Sequence, residues 1–565
     1  MTMIDKKIRE YLLPERILWE TGGVKEAESL LRYNSDQAFF GGALGCVLEP
    51  GAAVLLDFGK ELSGGVRIVC NECSGRKNAR IRITFGESAM EALQPIGCKN
   101  ATNDHAVRDE ELTVPWVGEL EYGNTGFRFV RIENKSTYSF TFRQVFAVYV
   151  HCNAERIGEF RCSDERLDRI WEVGAHTVFL NMQDYVYDGV KRDRVVWIGD
   201  MHPETSAILR LFGADERVER SLEFVRDNTP PSQWMNAIPS YSMWWMRIVY
   251  DYWLYTGKES FIRRQIPYVR ELSERFAACV DANGDMAITD RFIDWPSSGD
   301  AAAQTEGVRA LLKIALECAV RLLETFGTST DTTRIAACGK AADSLCRAKA
   351  KPCSNKQAAA LSVLAELSEA EKTNESLFSV EPLKGLSSFL GYYVLQARSR
   401  AGDTKGALDL VRGFWGKMVE LGATTFWEDF NIDWAEGAKP IDTVLASDEY
   451  DVHGDNGGYC YSGYRHSLCH GWAAGPVPFL SECVLGIRVL EAGCKRVEIT
   501  PDLGDLQWAE GAFPTPYGPL WVRHERVGNA IRTDFRAPKE VECIVRTKGI
   551  APQREREKEI LTISV

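Results

Sequence analysis

The apolar periodicity of this chain changes twice, and those two changes constrain its fold more than any other feature. Up to about residue 155, short apolar runs at 54–58, 66–69, 80–85, 127–132 and 141–150 are separated by Gly, Asn and Ser, the pattern of a β-sandwich. At Ser163 the period lengthens. Ser163 is a plausible N-cap, Asp164 and Glu165 occupy a first turn, and Leu167, Ile170, Trp171 and Val178 share one helical face. Helices are then expected at 302–326 (closed by Gly327), 332–350, 356–368, 386–401 and 404–421 (closed by Gly422). Residues 234–253 and 290–300 read as aromatic-rich loops between helices, and the Ser-, Thr-, Ala- and Lys-rich stretch 328–379 keeps helical spacing and is no linker. Past residue 488 the strand pattern returns at 496–500, 520–526, 531–535 and 541–545. Paired helices with loops gathered at one end fit an (α/α) toroid with a β domain on either side.

With 565 residues, two or three domains are expected. Lys and Arg total 67 against 80 Asp and Glu, a net charge of −13, with the basic residues scattered, so nucleic acid is not an expected partner. No apolar run reaches the roughly 18 residues of a membrane span. The N-terminal MTMIDKKIREYLLPERILWE has no apolar signal core. Sixteen dispersed cysteines fit reduced, buried thiols better than a disulfide framework. A cytoplasmic location is therefore expected, and the sequence sets no oligomeric state.

Chemistry concentrates in two places. Residues 187–204, YDGVKRDRVVWIGDMHPE, set Asp188, Asp193 and Asp200 around Trp197, and residues 422–430, GATTFWEDF, set Glu428 and Asp429 directly after Trp427. Carboxylates bond hydroxyls and exchange protons, while an indole packs on the apolar face of a sugar ring. Two such centres suggest a glycosidase. The plainer readings stay open beside it: a solvated loop with ordinary ion pairs among Lys191, Arg192, Asp193 and Arg194, a helix-terminal acid at Glu428, a core histidine at His470, and core tryptophans. His466 and His470 are four apart, but no third ligand is evident, and the lone pair Cys70 and Cys73 has no partner pair, so no metal and no cofactor are expected.

The motifs DGVKRDRVVWIGD, FIDW, GATTFWE, SLCHGWAAGP and TPDLGDLQWAEGAFPTPYGPLWV resemble the bacterial α-L-rhamnosidases of glycoside hydrolase family 78 over most of the chain. The resemblance implies a central (α/α)6 barrel at 156–487 between β-sandwich domains at 1–155 and 488–565. It also implies an inverting exo-α-L-rhamnosidase acting on rhamnose-containing oligosaccharides or glycosides. Aligning the family's Gln-Arg-Asp-Glu-Arg…Trp-Thr-Gly-Asp run on Trp197 and Asp200 sets its general-acid Glu on Asp193; its general base falls on Glu428. Sugar contacts are then implied for Asp188, Arg192, Trp197, Asp200, Asp294, Trp295, Trp427 and His470, and more loosely for Trp244. The departure is Asp193, an acid one methylene shorter, flanked by Lys191 and Arg192, which favour its ionised form unless burial or a nearby carboxylate offsets them. A rhamnoside-binding protein without catalysis, or another (α/α)-barrel glycosidase or phosphorylase for a different deoxysugar, are the alternatives.

Overall fold

The computed structural model describes residues 6–39, 45–74, 76–348, 353–528, 530–546, 553–555 and 560–564. The chain groups into two compact units, each drawing on segments far apart in sequence. One comprises Met1–Asn153, Phe179–Val195 and Met418–His470; the other comprises Ala154–Val178, Val196–Lys417 and Gly471–Val565.

In the first unit, strands β1 (Ile8–Leu12), β2 (Arg16–Thr21), β3 (Val24–Lys25), β4 (Cys46–Leu48), β5 (Ala53–Cys73), β6 (Ala79–Gly86), β7 (Asp109–Val114), β8 (Gly118–Asn134) and β9 (Phe140–His151) make one nine-stranded sheet. Its order is β3-β4-β9-β5-β8-β6-β7, with β1 paired to β9 and β2 to β5. Strand β6 shows the cause of the alternation: Ala79, Ile81 and Ile83 turn inward while Arg80 stays exposed. The inward residues join Val54, Leu56, Ile68, Phe127, Val130 and Phe142 in one apolar core. The runs expected at 54–58 and 66–69 are two parts of the single strand β5, whose register against β8 shifts between Asp57 and Leu62 and again between Gly64 and Val66. Those irregularities bend the strand without ending it, so the glycines between the runs read as a turn in sequence.

The same core takes in Leu180, Val190 and Cys469, from the two other segments of this unit. Strand β8 approaches Val190 through Gly126, whose backbone N–H donates to the Val190 carbonyl at 2.8 Å. A Cβ on Gly126 would lie 2.6 Å from a Val190 methyl and 2.9 Å from the Lys191 nitrogen, so only glycine lets the strand come this near. Lys191, Arg192 and Asp193 thus leave from a residue anchored in the core.

The second unit is mainly helical. Its helices include Met201–Leu211, Glu216–Asn228, Pro239–Thr256, Glu259–Ala278, Ala301–Phe326, Thr332–Arg347, Lys356–Leu364 and Gly391–Arg400. The expected helices at 302–326 and 332–350 are found, although residues 349–352 fall outside the described ones; those expected at 356–368 and 386–401 are shorter than the spacing suggested. The stretch 404–421 holds Thr404–Leu410 and Gly416–Glu420 around a π-helical turn, Val411–Trp415. Most of 234–253, expected as a loop, is instead helix: Pro239 stands at its first turn, Gly257 at φ 64° ends it, and Trp244, Trp245, Ile248, Val249 and Tyr252 are buried along it. Residues 290–300 are a loop, as expected, and Asp300 caps the helix that follows by accepting from the N–H groups of Ala302 and Ala303.

Strands Trp508–Thr515, Gly518–Val527, Ala530–Arg536 and Ile560–Ser564 form a five-stranded sheet with Glu159–Cys162, which pairs with Trp508–Thr515. A second sheet combines Ile487–Glu491, Arg496–Ile499, Glu542–Val545 and Gln553–Glu555. Among the described residues no helix is long and apolar enough to cross a membrane.

Candidate active site

The first unit brings six of the residues singled out in the sequence into one charged group. Residues 425–428 and 467–470 run beside each other: Thr425 Oγ1 donates to the Leu468 carbonyl at 2.7 Å, the His470 N–H to Phe426 at 3.0 Å, and the Glu428 N–H to Ser467 at 2.9 Å. Gly189 forms an isolated antiparallel bridge with His470. These bonds carry the 187–195 loop and the 422–430 run to the same place, although more than 200 residues separate them in the chain.

Arg192 joins the two carboxylates of interest. Its Nη2 donates to Glu428 Oε1 in a short ion pair, and its Nη1 to Asp193 Oδ1 at 3.3 Å. One guanidinium therefore holds both the expected acid and the expected base. Burial works against the Arg192 charge, but Glu428 and Asp193 outweigh it and keep the side chain cationic. Glu428 is buried and also accepts from the Ser467 N–H at 3.2 Å. Burial pushes its carboxyl up to about 7, with Arg192 and the Ser467 N–H opposing. His470 Nε2 lies 3.8 Å from both Asp188 Oδ2 and Glu428 Oε1, and burial, with the nearby Arg192 charge, keeps its imidazole neutral. Asp188 Oδ1 accepts the Val195 N–H at 3.0 Å and closes the loop. Trp427 is buried, edge-on to Phe430 with ring centres 5.6 Å apart.

Asp193 and Arg194 both have left-handed backbones, φ 54° and 59°, an uncommon pairing for residues other than glycine. Arg194 fastens the turn by donating to the carbonyl of Asn124 at 2.5 Å and to its side-chain oxygen at 2.8 Å. Lys191, a flanking cation in the sequence, turns away from Asp193. Its ammonium meets Glu87 at 2.9 Å and Glu91 at 3.2 Å and donates to the carbonyls of Tyr464 (2.9 Å) and His466 (2.6 Å). Arg192 is the flanking cation that remains on Asp193.

The Lys191 end is a buried network with no motif to announce it. Arg108 donates to Glu91 at 2.8 Å, the Leu468 N–H to Glu87 at 2.5 Å, and His453 contacts Ser88 Oγ at 2.8 Å. Burial raises the Glu61 and Glu87 carboxyls and lowers His453. Glu87, Glu91 and His453 bring ligand-type atoms within 4.8 Å of one another, but the Lys191 ammonium already supplies the cation between the two glutamates. His466 is no helical neighbour of His470: its Nε2 accepts the Asp429 N–H at 2.9 Å. Cys70 is buried, and the side chain of Cys73 lies outside the described residues.

The second unit holds the remaining expected residues. Trp197 packs edge-on against Tyr241 (6.1 Å), Tyr241 against Phe292 (6.3 Å), and Phe292 against Trp295 (5.2 Å). The Tyr241 hydroxyl donates to Asp200 Oδ1 at 2.6 Å. Trp197 and Trp295 are only half-buried. Asp294 is buried and holds its own loop, accepting from the Ser297 N–H and from Ser387 Oγ, each at 3.0 Å. Trp244 stacks on His202 (4.7 Å) and Tyr393 (5.1 Å) and is 2% exposed.

Residues 155–338 match the bacterial alpha-L-rhamnosidase 6 hairpin glycosidase domain, and residues 486–560 match the bacterial alpha-L-rhamnosidase C-terminal domain. Together these two matches, both to domains of bacterial α-L-rhamnosidases, cover a little under half of the chain. An alpha-L-rhamnosidase of Formosa agariphila is 21% identical over 267 residues, 43% of this chain and 28% of the relative. The family 78 rhamnosidase of Bacillus sp. GL1 superposes with a TM-score of 0.70 at 24% identity, covering 89% of this chain and 54% of the other. A rhamnosidase from Klebsiella oxytoca with rhamnose bound gives 0.67 at 19%, covering 84% and 96%. At these identities the structural likeness speaks for the fold. The chain thus spans about half the length of the Bacillus rhamnosidase and less of the Formosa one.

Proposed function

We propose that this chain is an inverting exo-α-L-rhamnosidase that removes terminal α-L-rhamnose from oligosaccharides or small glycosides, with Asp193 as general acid and Glu428 as general base. The observation that carries the reading is the single guanidinium of Arg192 holding both carboxylates. In an inverting reaction the acid protonates the glycosidic oxygen as the bond to C1 breaks, while the base takes a proton from the water that attacks the opposite face. Glu428, buried with a carboxyl pushed up to about 7, is basic enough for that role near neutrality. Water and sugar must part Glu428 from Arg192, and the guanidinium then remains beside Asp193. Asp188, Arg192 and His470 surround this pair as hydroxyl partners, and the half-buried rings of Trp197 and Trp295 suit stacking on a sugar.

The reading includes the (α/α)6 arrangement of the helices, sandwich domains at 1–155 and 488–565 around a catalytic domain at 156–487, and work in the reducing cytoplasm. Its test is incubation with 4-nitrophenyl α-L-rhamnoside, following by proton NMR the anomer of the sugar first released. The β-anomer of free L-rhamnose is expected. The α-anomer would refute inversion, release only in the presence of phosphate would point to a phosphorylase, and rhamnose binding without turnover would leave a recognition protein.

A further inference from the structure

Asp193 has a neighbour that neither motif contains. His105 lies in the connection between β6 and β7, and its Nε2 is 3.3 Å from Asp193 Oδ1 and 3.4 Å from Asp104 Oδ2. The third group on that nitrogen is Arg465, whose Nη2 lies 3.2 Å away and whose Nη1 pairs with Asp104. His105, Asp104, Arg192 and Arg465 line one cleft together with Thr102, and the His105 side chain is 28% exposed. Asp193 itself is 18% exposed. The imidazole therefore touches the acid on one side and reaches water on the other.

Resting on the proposed acid role of Asp193, we infer that His105 is a proton relay that loads Asp193 from solvent between turnovers. The bookkeeping of protons closes. Asp193 gives its proton to the glycosidic oxygen as the C1–O bond breaks, and the attacking water forms the new C1–O bond and loses a proton to Glu428. The imidazolium Nε2–H of His105 then passes a proton to Asp193 Oδ1 and recovers one from solvent, while Glu428 returns its proton to solvent. Two neighbouring states suit the transfer: as imidazolium, His105 is paired by Asp104 and Asp193, and as neutral imidazole its Nε2 accepts from Arg465. Arg192 holds the carboxylate that receives the proton. Lys191 and Arg108, also on the cleft wall, direct their charges to Glu91 and take no part. His105 acts through Asp193, so it is a positioning and relay residue.

The test compares wild type, His105→Ala, His105→Gln and Asp193→Asn on phenyl α-L-rhamnoside, whose poor leaving group needs the acid, and on 4-nitrophenyl α-L-rhamnoside, whose good one does not. Thermal midpoints establish that each variant is folded. For both His105 variants the relay predicts a fall in kcat of about 10-fold or more on the phenyl substrate and a smaller fall on the nitrophenyl one. Added imidazole should restore His105→Ala on the phenyl substrate, while pyrazole, a ring of the same size that is too weakly basic to become a cation at pH 6, should not. A folded His105→Ala that keeps wild-type kcat on phenyl rhamnoside, or that imidazole fails to restore, overturns the relay. If Asp193→Asn also keeps wild-type kcat on that substrate, the acid assignment falls as well. If Asp193→Asn is crippled there, only the relay is lost.

Discussion

The charged group around Arg192 and the aromatic group around Tyr241 are built in opposite ways. The first is held by ion pairs and hydrogen bonds to side chains almost wholly out of water, among them Arg192 with Glu428 and Lys191 with Glu87. The second is a chain of rings meeting edge to face, with Trp197 and Trp295 half-buried at its two ends. Buried polar contacts fix atoms closely and are costly to leave unpaired. Ring contacts are weaker and tolerate small shifts. Proton transfer needs the first kind of precision, whereas gripping a sugar face can use the second.

The largest expected effect sits beneath the charged group. Lys191→Met takes the cation from the buried Glu87 and leaves Glu91 with Arg108 alone, and a loss of about 3–5 kcal/mol is expected in urea unfolding. A loss below about 1 kcal/mol would show that Glu87 is protonated and needs no cation. Next comes pH. A general base works as the carboxylate, and the folded Glu428 carboxyl stands at about 7. The acid form therefore accumulates as pH falls through about 7, and kcat/KM should decline about tenfold per unit below it. An acid limb near the ordinary carboxylate range would place the base elsewhere.

In the aromatic group smaller losses are expected, and in binding more than in turnover. Trp197→Ala should raise KM about 2–10-fold with kcat nearly unchanged, the scale of one aromatic contact. A large fall in kcat would blur the contrast between the two groups. Smallest is Asp294→Ala, which removes the acceptor for the Ser297 N–H and Ser387 Oγ and should cost about 1 kcal/mol of stability in thermal unfolding. Asp294→Asn keeps an acceptor oxygen and should cost less.

The order of strands, helices and strands was legible because the apolar period differs between the two structures and is local. Glu428 and Asp193 were legible as candidates because each stands in a dense run of acid and aromatic residues, and Arg192 joins them in the fold. The helix Pro239–Thr256 reads as a loop although its start signal, Pro239, and its stop signal, Gly257, are both in the sequence; its crowd of aromatics resembles a binding loop. Strand β5 was read as two because its bulged glycines look like a turn. His105, Glu87 and Glu91 gave no signal. They reach the 191–193 stretch only through the long-range packing of β5, β6 and β8 on Val190, and nothing in their local sequence records that approach. Trp244 shows the converse: a tryptophan in a suggestive run is buried in a stack with His202 and Tyr393.

The most direct test of the two-carboxylate account is the turnover of 4-nitrophenyl and phenyl α-L-rhamnosides by Glu428→Gln and Asp193→Asn beside the wild type. The account predicts that Glu428→Gln loses turnover of both substrates by about 100-fold or more, while Asp193→Asn loses far more on the phenyl substrate than on the nitrophenyl one. Wild-type rates for Glu428→Gln, or equal losses on both substrates for Asp193→Asn, would contradict it.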